Sequence, residues 1–118
     1  MRRFSLPTVT KEVFMSIQEQ IKEVVTNHRV VLFMKGTPKF PQCGFSARAV
    51  QILKEVGFDD YASVNVLDND AVRQGIKEFS NWPTIPQLYV NGEFVGGADI
   101  MMEMFEAGEL KDVLTAEA

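Results

Sequence analysis

Hydrophobic positions recur at helical and strand spacings from Ser16 onward. Ser16 and Glu19 have the spacing of a capping box, and the helix that they begin carries apolar residues at i, i+4, i+7 and i+8: Ile17, Ile21, Val24 and Val25. The continuous apolar run Val30–Met34 is typical of a strand buried on both faces. A loop is predicted from Gly36 to Pro41 or Gln42.

The middle of the chain predicts a helix, a strand and a second helix. A helix is predicted to start at Cys43 and to end at Gly57, with an apolar face formed by Ala47, Val50, Ile52, Leu53 and Val56. A second strand is predicted over Tyr61–Leu67. Asp68 or Asn69 can cap the helix that follows, whose buried stripe is Val72, Ile76 and Phe79. Strand, helix and strand in this order favour a right-handed parallel unit.

The last third of the chain predicts a hairpin and two helices. Gln87–Val90 and Glu93–Val95 flank Asn91-Gly92, a strong signal for a tight turn between antiparallel strands. A helix carrying Ile100, Met101, Met104 and Phe105 and a short helical turn over Leu110–Leu114 follow. The complete order predicts an α/β fold, a four-stranded mixed sheet flanked by helices on both faces, which is the thioredoxin-like arrangement.

Composition limits the number of domains and the kinds of partner. The 118 residues, 46% hydrophobic and 24% charged, suffice for one domain with its own core. A net charge of −4 without like-charge blocks argues against nucleic acid as a partner. The longest apolar run falls far short of the roughly 20 residues that a membrane span needs. We therefore expect a soluble protein with neither a nucleic acid nor a membrane as its partner.

The N-terminal segment has two interpretations. It carries Arg2, Arg3 and Lys11 with several hydroxyl residues and a single acid, which is compatible with the remnant of an organelle transit peptide. The simpler interpretation is a disordered extension over residues 1–15, before a domain over 16–115 and a C-terminal tail over 116–118. We expect a bacterial cytoplasmic location, with a mitochondrial or plastid matrix as the alternative.

Cys43 is the first candidate for chemistry. One cysteine and one histidine exclude an internal disulfide and any His/Cys metal cage built from this chain alone. A thiol in the first turn of a helix is stabilised as the thiolate by the aligned peptide dipoles, and Lys35 at the preceding strand end can add a positive charge. The alternative is that Cys43 is a small core residue, since free cysteines are often buried.

Four motifs in order resemble the CGFS-type monothiol glutaredoxins over about residues 16–115. They are Lys35-Gly36-Thr37-Pro38, Cys43-Gly44-Phe45-Ser46, Trp82-Pro83-Thr84-Ile85-Pro86-Gln87 and Gly96-Gly97-Ala98-Asp99. The resemblance implies a glutathione-binding protein that holds a [2Fe-2S] cluster between two subunits and passes it to other proteins. Such a cluster takes four thiolates, and two Cys43 thiolates with two glutathiones supply that number in a symmetric homodimer.

The resemblance also implies a glutathione site. Lys35 and Arg73 would pair with a carboxylate of the tripeptide, the alternative being that both are solvated surface charges. Ile85 would present its backbone to the glutathione cysteine as an added strand does, with Pro86 in the cis form rather than the trans form. These assignments place four of the expected contacts.

The remaining site residues lie at the last helix and next to the thiol. The last helix would begin with Gly97, Ala98 and Asp99. Its free N–H groups would bind the γ-glutamyl carboxylate, and Asp99 would bind the γ-glutamyl ammonium. The alternative is that Asp99 is only an N-cap. Many members of the family have cysteine where this chain has Ala98, which removes a second thiol here. Phe45 would cover the glutathione or the dimer contact, or pack in the core. Trp82, Pro83 and the methionines Met101, Met102 and Met104 are interpreted as packing residues.

Two other functions stay open. In the first, Cys43 acts in a glutathione-dependent oxidoreductase that removes glutathione from proteins by a single-cysteine route. Because Ser46 cannot act as a resolving thiol, we expect such turnover to be slow. In the second, the chain is an adaptor for BolA-like proteins, a partner that only the resemblance implies. Acceptor apoproteins would be the partners of the cluster carrier.

Overall fold

The computed structural model describes residues 15–117 and contains five α-helices and four strands within them. The helices are α1 Ile17–Asn27, α2 Gly44–Val56, α3 Asp70–Ser80, α4 Ala98–Glu106 and α5 Leu110–Thr115. The strands are β1 Val30–Met34, β2 Ala62–Asn65, β3 Gln87–Val90 and β4 Glu93–Gly96. The expectations for residues 1–14 lie outside the described residues.

The strands form one mixed sheet in the order β2-β1-β3-β4. β1 pairs parallel with β2 and antiparallel with β3, and β3 pairs antiparallel with β4. All five residues of β1 are buried, as the apolar run predicts. The predicted four-stranded mixed sheet and the thioredoxin-like fold are confirmed.

Alternate residues of β1 enter two separate cores, because successive side chains of a strand point to opposite faces. Val30, Leu32 and Met34 pack with α2, α4 and α5 on one face. Val31 and Phe33 pack with α1 and α3 on the other. The sheet is therefore covered by helices on both faces, and its central strand ends next to the start of α2.

Several local predictions are confirmed at single residues. Ser16 and Glu19 form the capping box of α1. Gly57 ends α2 in the left-handed region, with φ 83°. Asn91 and Gly92 have φ 52° and 81° between β3 and β4, as a tight turn between antiparallel strands requires. Among residues 15–117, no helix has the length and apolar character needed to cross a bilayer.

The second strand is shorter than predicted. Tyr61–Leu67 was expected to be extended, but the strand covers Ala62–Asn65, and a 3₁₀ turn over Val66–Asp68 follows. The reason is the Asn65 side chain, whose Oδ1 accepts the Leu67 N–H at 3.0 Å and turns the chain out of the sheet. Of the two caps considered for the next helix, Asn69 is the one observed.

The loop between β1 and α2 folds back on itself. The Gln42 N–H donates to the Lys35 carbonyl at 2.9 Å, and the Phe40 N–H donates to the Thr37 carbonyl at 3.0 Å. Gly36 has φ 92°, and a Cβ there would lie 2.5 Å from the Phe40 carbonyl oxygen. Only glycine fits this position without moving the backbone that leads to Cys43.

Replacing this glycine should therefore cost stability. We expect Gly36→Ala to lower the free energy of unfolding by about 2 kcal/mol, because a Cβ is disfavoured at this φ and collides with backbone atoms. Gly44→Ala is the matched control, since a Cβ at Gly44 meets nothing within 4 Å. Urea unfolding of both variants measures the difference, and equal losses would contradict the explanation.

Candidate functional site

Cys43 is the N-cap of α2, which confirms its predicted place at a helix start. Its side chain is partly buried. The Ser46 N–H donates to the Cys43 Sγ at 3.5 Å, and the Ser46 Oγ lies 3.7 Å from the same sulfur. The sulfur therefore occupies the place of a capping oxygen and receives the first free donors of the helix.

Ser46 joins the thiol to the end of β1. The residue is fully buried, and its Oγ accepts the Lys35 N–H at 3.0 Å. Because that N–H uses the hydroxyl as an acceptor, the hydroxyl proton is free to point at the sulfur. Sequence reasoning considered Ser46 only as a missing second thiol; its place three residues after a helix N-cap is the signal that could have identified the contact.

The surroundings of Cys43 favour the thiolate. Burial raises the pKa of the Cys43 thiol. A larger lowering comes from hydrogen bonds donated by the Ser46 backbone and hydroxyl and by the Phe45 backbone, together with the Lys35 charge. The net pKa lies below the ordinary value, in the direction that the sequence predicts. Lys35 contributes least of these groups, so the hydrogen bonds to the sulfur have more effect on its pKa than the Lys35 ammonium.

A cavity of about 150 Å³ opens between α4, the segment before β3 and the start of α2. Its lining residues are largely apolar: Phe45, Trp82, Thr84, Ile85, Pro86, Gly97, Ala98, Asp99 and Ile100. Six of the nine residues assigned to the glutathione and cluster site from the sequence are in this set. Cys43 is not among the lining residues, but it lies two positions before Phe45 in the chain.

At two walls of this cavity the structure decides between the alternatives that the sequence left open. The Ile85–Pro86 peptide bond is cis, as expected. Gly97 is the N-cap of α4 and has no side-chain cap hydrogen bond, so the interpretation of Asp99 as the N-cap is wrong. Asp99 is the second residue of the helix and lines the cavity.

Two aromatic residues are more exposed than a packing role allows. Phe45 is 59% exposed, so the alternative of a core role is wrong. Trp82 is 40% exposed and lines the cavity, although its ring also contacts Phe94 with 5.9 Å between centroids. Its interpretation as a packing residue is therefore only half right, and Pro83 beside it is exposed. Hydrophobicity alone does not distinguish a ring that fills a core from one that lines a cavity.

The two predicted cations lie outside the lining of the cavity. Lys35 follows β1 and acts on the thiol through its charge. Arg73 is on α3, and its Nε is buried without a hydrogen-bond partner in the described part of the chain. A buried guanidinium donor without a partner is costly unless a ligand or water supplies one.

Met101 is fully buried, as predicted.

The described residues do not make a metal site by themselves. Between residues 15 and 117, no group of three or more His, Cys, Asp or Glu side chains is arranged to hold a metal ion. Any metal centre at Cys43 therefore needs ligands from outside the described residues.

Comparison with known proteins places this site in a family. Residues 30–95 match the family model described as Glutaredoxin. The chain is 59% identical over 97 residues to "Glutaredoxin-related protein 5, mitochondrial" of Danio rerio, a match that covers 82% of this chain and 63% of that relative, less than two thirds of its length. It is 56% identical over 95 residues to the Synechocystis sp. protein named "Uncharacterized monothiol glutaredoxin ycf64-like", with 80% and 88% of the two chains covered.

Solved structures agree with this relationship. The solution structure of reduced poplar apo GrxS14 is 55% identical, with a TM-score of 0.69 over 82% of this chain and 88% of that one. The crystal structure of a buckwheat glutaredoxin-glutathione complex shares the fold, with a TM-score of 0.73 at 22% identity over 84% and 87% of the two chains. The single thiol at the start of α2, the cis proline beside the cavity and these matches lead to one conclusion. This chain belongs to the glutaredoxin family and is a monothiol glutaredoxin of the thioredoxin-like superfamily.

Proposed function

We propose that this chain binds glutathione and a labile [2Fe-2S] cluster at a homodimer interface and transfers the cluster to acceptor proteins. The observation that carries the proposal is the state of Cys43. It is the one cysteine of the chain, it is partly exposed, and its pKa is lowered by hydrogen bonds to the sulfur. A thiolate is the form that binds iron.

Glutathione suits the cavity next to this thiolate. The N-terminus of α4 lines the cavity and lacks a side-chain cap, so its free N–H groups are available to the γ-glutamyl carboxylate. Asp99 would meet the γ-glutamyl ammonium, and the Ile85 backbone would pair with the glutathione cysteine. The buckwheat glutaredoxin of the same fold, solved as its glutathione complex, adds support.

Two cations suit the other end of the tripeptide. Arg73 has a buried Nε without a partner, and a carboxylate is the ligand that a guanidinium binds best. Lys35 would add a second positive charge beside the thiol. Glutathione would then bridge α3, the cis-proline segment and α4, with its sulfur near Cys43.

The ligand count requires two chains. A [2Fe-2S] cluster takes four thiolates, and each chain supplies one. Two Cys43 thiolates and two glutathione thiolates complete the set on a two-fold axis. The exposed rings of Phe40 and Phe45, 71% and 59% accessible, offer apolar surface near Cys43 for such a contact. Since half of the ligands are small molecules, an acceptor can displace them and take the cluster.

The cellular setting and partners are part of the same proposal. The relatives named above include a mitochondrial and a cyanobacterial protein, which favours a mitochondrial or plastid matrix as much as the bacterial cytoplasm expected from the sequence. Apoproteins that need an iron–sulfur cluster would be the acceptors. BolA-like proteins stay a predicted partner.

The lowered pKa of Cys43 also fits the second candidate, a glutathione-dependent oxidoreductase. The Cys43 thiolate would attack the glutathione sulfur of a mixed disulfide and release the protein thiolate. A second glutathione thiolate would then attack that sulfur, forming oxidised glutathione and returning Cys43 as thiolate. Ser46 holds no thiol to assist, so turnover would be slow.

Anaerobic reconstitution with iron, sulfide and glutathione tests the first candidate. Visible spectra and native mass spectrometry should show a coloured species with two chains, one [2Fe-2S] unit and two glutathiones. Cys43→Ser, and wild type without glutathione, should stay colourless because each lacks half of the thiolates. A colourless monomer that carries only a glutathione mixed disulfide would instead favour the oxidoreductase.

The titration of Cys43 tests the thiolate directly. Because hydrogen bonds hold the folded pKa below that of the unfolded chain, the rate of alkylation by iodoacetamide should reach half its maximum at a lower pH in the folded protein than in urea. Ser46→Ala removes one donor, so its midpoint should shift to higher pH. Asn65→Ala is the matched control, since Asn65 anchors the Gly36 N–H of the same loop but is not hydrogen-bonded to the sulfur. Equal shifts in both variants would mean that loop position, and not the hydroxyl, sets the pKa.

A further inference from the structure

Two polar side chains lie in the core behind the cavity. Gln87, the first residue of β3, is fully buried, and Tyr89 is 1% exposed. Neither was assigned a role in the site from the sequence. A buried amide is tolerated only when its hydrogen bonds are made, so its partners indicate what it holds.

The amide of Gln87 has a partner for each of its polar atoms. Its Nε2 donates to the carbonyl oxygens of Trp82 and Thr84, each at 3.2 Å. Its Oε1 accepts the Tyr89 hydroxyl at 3.0 Å. Trp82 and Thr84 both line the cavity. One buried side chain therefore fixes two peptide groups of the cavity wall.

The network has a single orientation. Two carbonyl oxygens require the NH₂ of the Gln87 amide, which leaves its oxygen for a donor. Burial raises the pKa of Tyr89 to about 12, so its hydroxyl keeps that proton through the physiological range. The two carbonyls thus fix the orientation of the amide, since a reversed amide would set its oxygen against them, and the Tyr89 hydroxyl completes the network by donating to the amide oxygen.

Ring contacts also link Trp82 in the cavity wall to Tyr89 in the core. The rings of Trp82 and Phe94 are 5.9 Å apart, and those of Phe94 and Tyr89 are 5.5 Å apart. At its N-terminal side the wall is also held by the Trp82 N–H, which donates to the Lys77 carbonyl and the Ser80 hydroxyl, both at 3.1 Å. The segment 82–86 has no helix or strand of its own. Its shape depends on these side chains.

We propose that Gln87 and Tyr89 are positioning residues that hold the Trp82–Thr84 wall of the cavity in its ligand-binding shape. The identity of the ligand as glutathione rests on the proposed function. Neither residue lines the cavity. They act through the carbonyls of the wall, and the cis Ile85–Pro86 segment that follows is placed by the same contacts.

Tyr89→Phe is the sharpest variant, because it keeps the ring and removes only the hydroxyl that donates to the Gln87 amide oxygen. Trp82 is the one tryptophan of the chain and is part of the wall, so its fluorescence reports the wall without any ligand. In the ligand-free variant we expect red-shifted emission and stronger quenching by acrylamide. The Kd for glutathione, measured by calorimetry, should rise about fivefold, the equivalent of one buried hydrogen bond.

Gln87→Met removes all three hydrogen bonds at similar volume and should raise the Kd about tenfold. Ile52→Val is the matched control, because Ile52 packs on the opposite face of the sheet and its loss of a methyl group gives a comparable loss of stability. It should leave the Trp82 emission and the Kd unchanged.

Two results would overturn the inference. One is unchanged Trp82 emission and quenching in both variants at the network. The other is an Ile52→Val control that alters the Trp82 emission and the Kd as much as Tyr89→Phe and Gln87→Met do. General destabilisation would then explain the changes. If the wild-type chain does not bind glutathione, the proposed function fails, but the ligand-free Trp82 signal still decides the role of Gln87 and Tyr89.

Discussion

The Cys43 sulfur is held by a hydrogen-bonding arrangement at the junction of β1 and α2. It caps the helix in place of an oxygen, and the buried Ser46 joins it to the backbone of Lys35 at the strand end. This arrangement depends on β1 being central and buried, since only then does its end stay fixed against the helix start. The thiol is therefore kept partly exposed, with its pKa lowered by hydrogen bonds to the sulfur, in a place set by the core of the fold.

The cavity next to Cys43 depends on other contacts than the sulfur does. Its walls come from a segment without regular structure and from an uncapped helix end, neither of which is rigid alone. Gln87 and Tyr89 supply the rigidity on one side by hydrogen bonds from inside the core. On the other side Gly97 leaves room, since a Cβ there would lie 3.2 Å from the Pro86 carbonyl. The Cys43 sulfur and the cavity wall are both held in fixed positions. Such a site suits a small thiol that reacts with Cys43 or binds a metal together with it.

Local patterns were enough to predict much of this. β1, the start of α2 at Cys43 and the turn at Asn91-Gly92 follow from neighbouring residues, whereas the cis Pro86 was implied by the resemblance to the glutaredoxins. The failures involve contacts made by side chains. Alternating apolar residues did not reveal that Asn65 ends β2 by capping a turn, and the hydrophobic character of Trp82 did not reveal that its ring lines a cavity. The hydrogen bonds of Ser46 and Gln87 were missed because they depend on how strand ends and helix starts meet in three dimensions.

Glutathione is proposed to bind in the cavity beside Cys43 through the Ile85 backbone, the start of α4 and Arg73. Titration of reduced glutathione into ¹⁵N-labelled Cys43→Ser protein, followed by amide chemical shifts, tests it most directly. We expect the largest shifts at Ile85 and at Gly97, Ala98 and Asp99, with smaller ones along α3 near Arg73. Shifts that bypass Ile85 and the start of α4, or a spectrum unchanged at saturating glutathione, would contradict it.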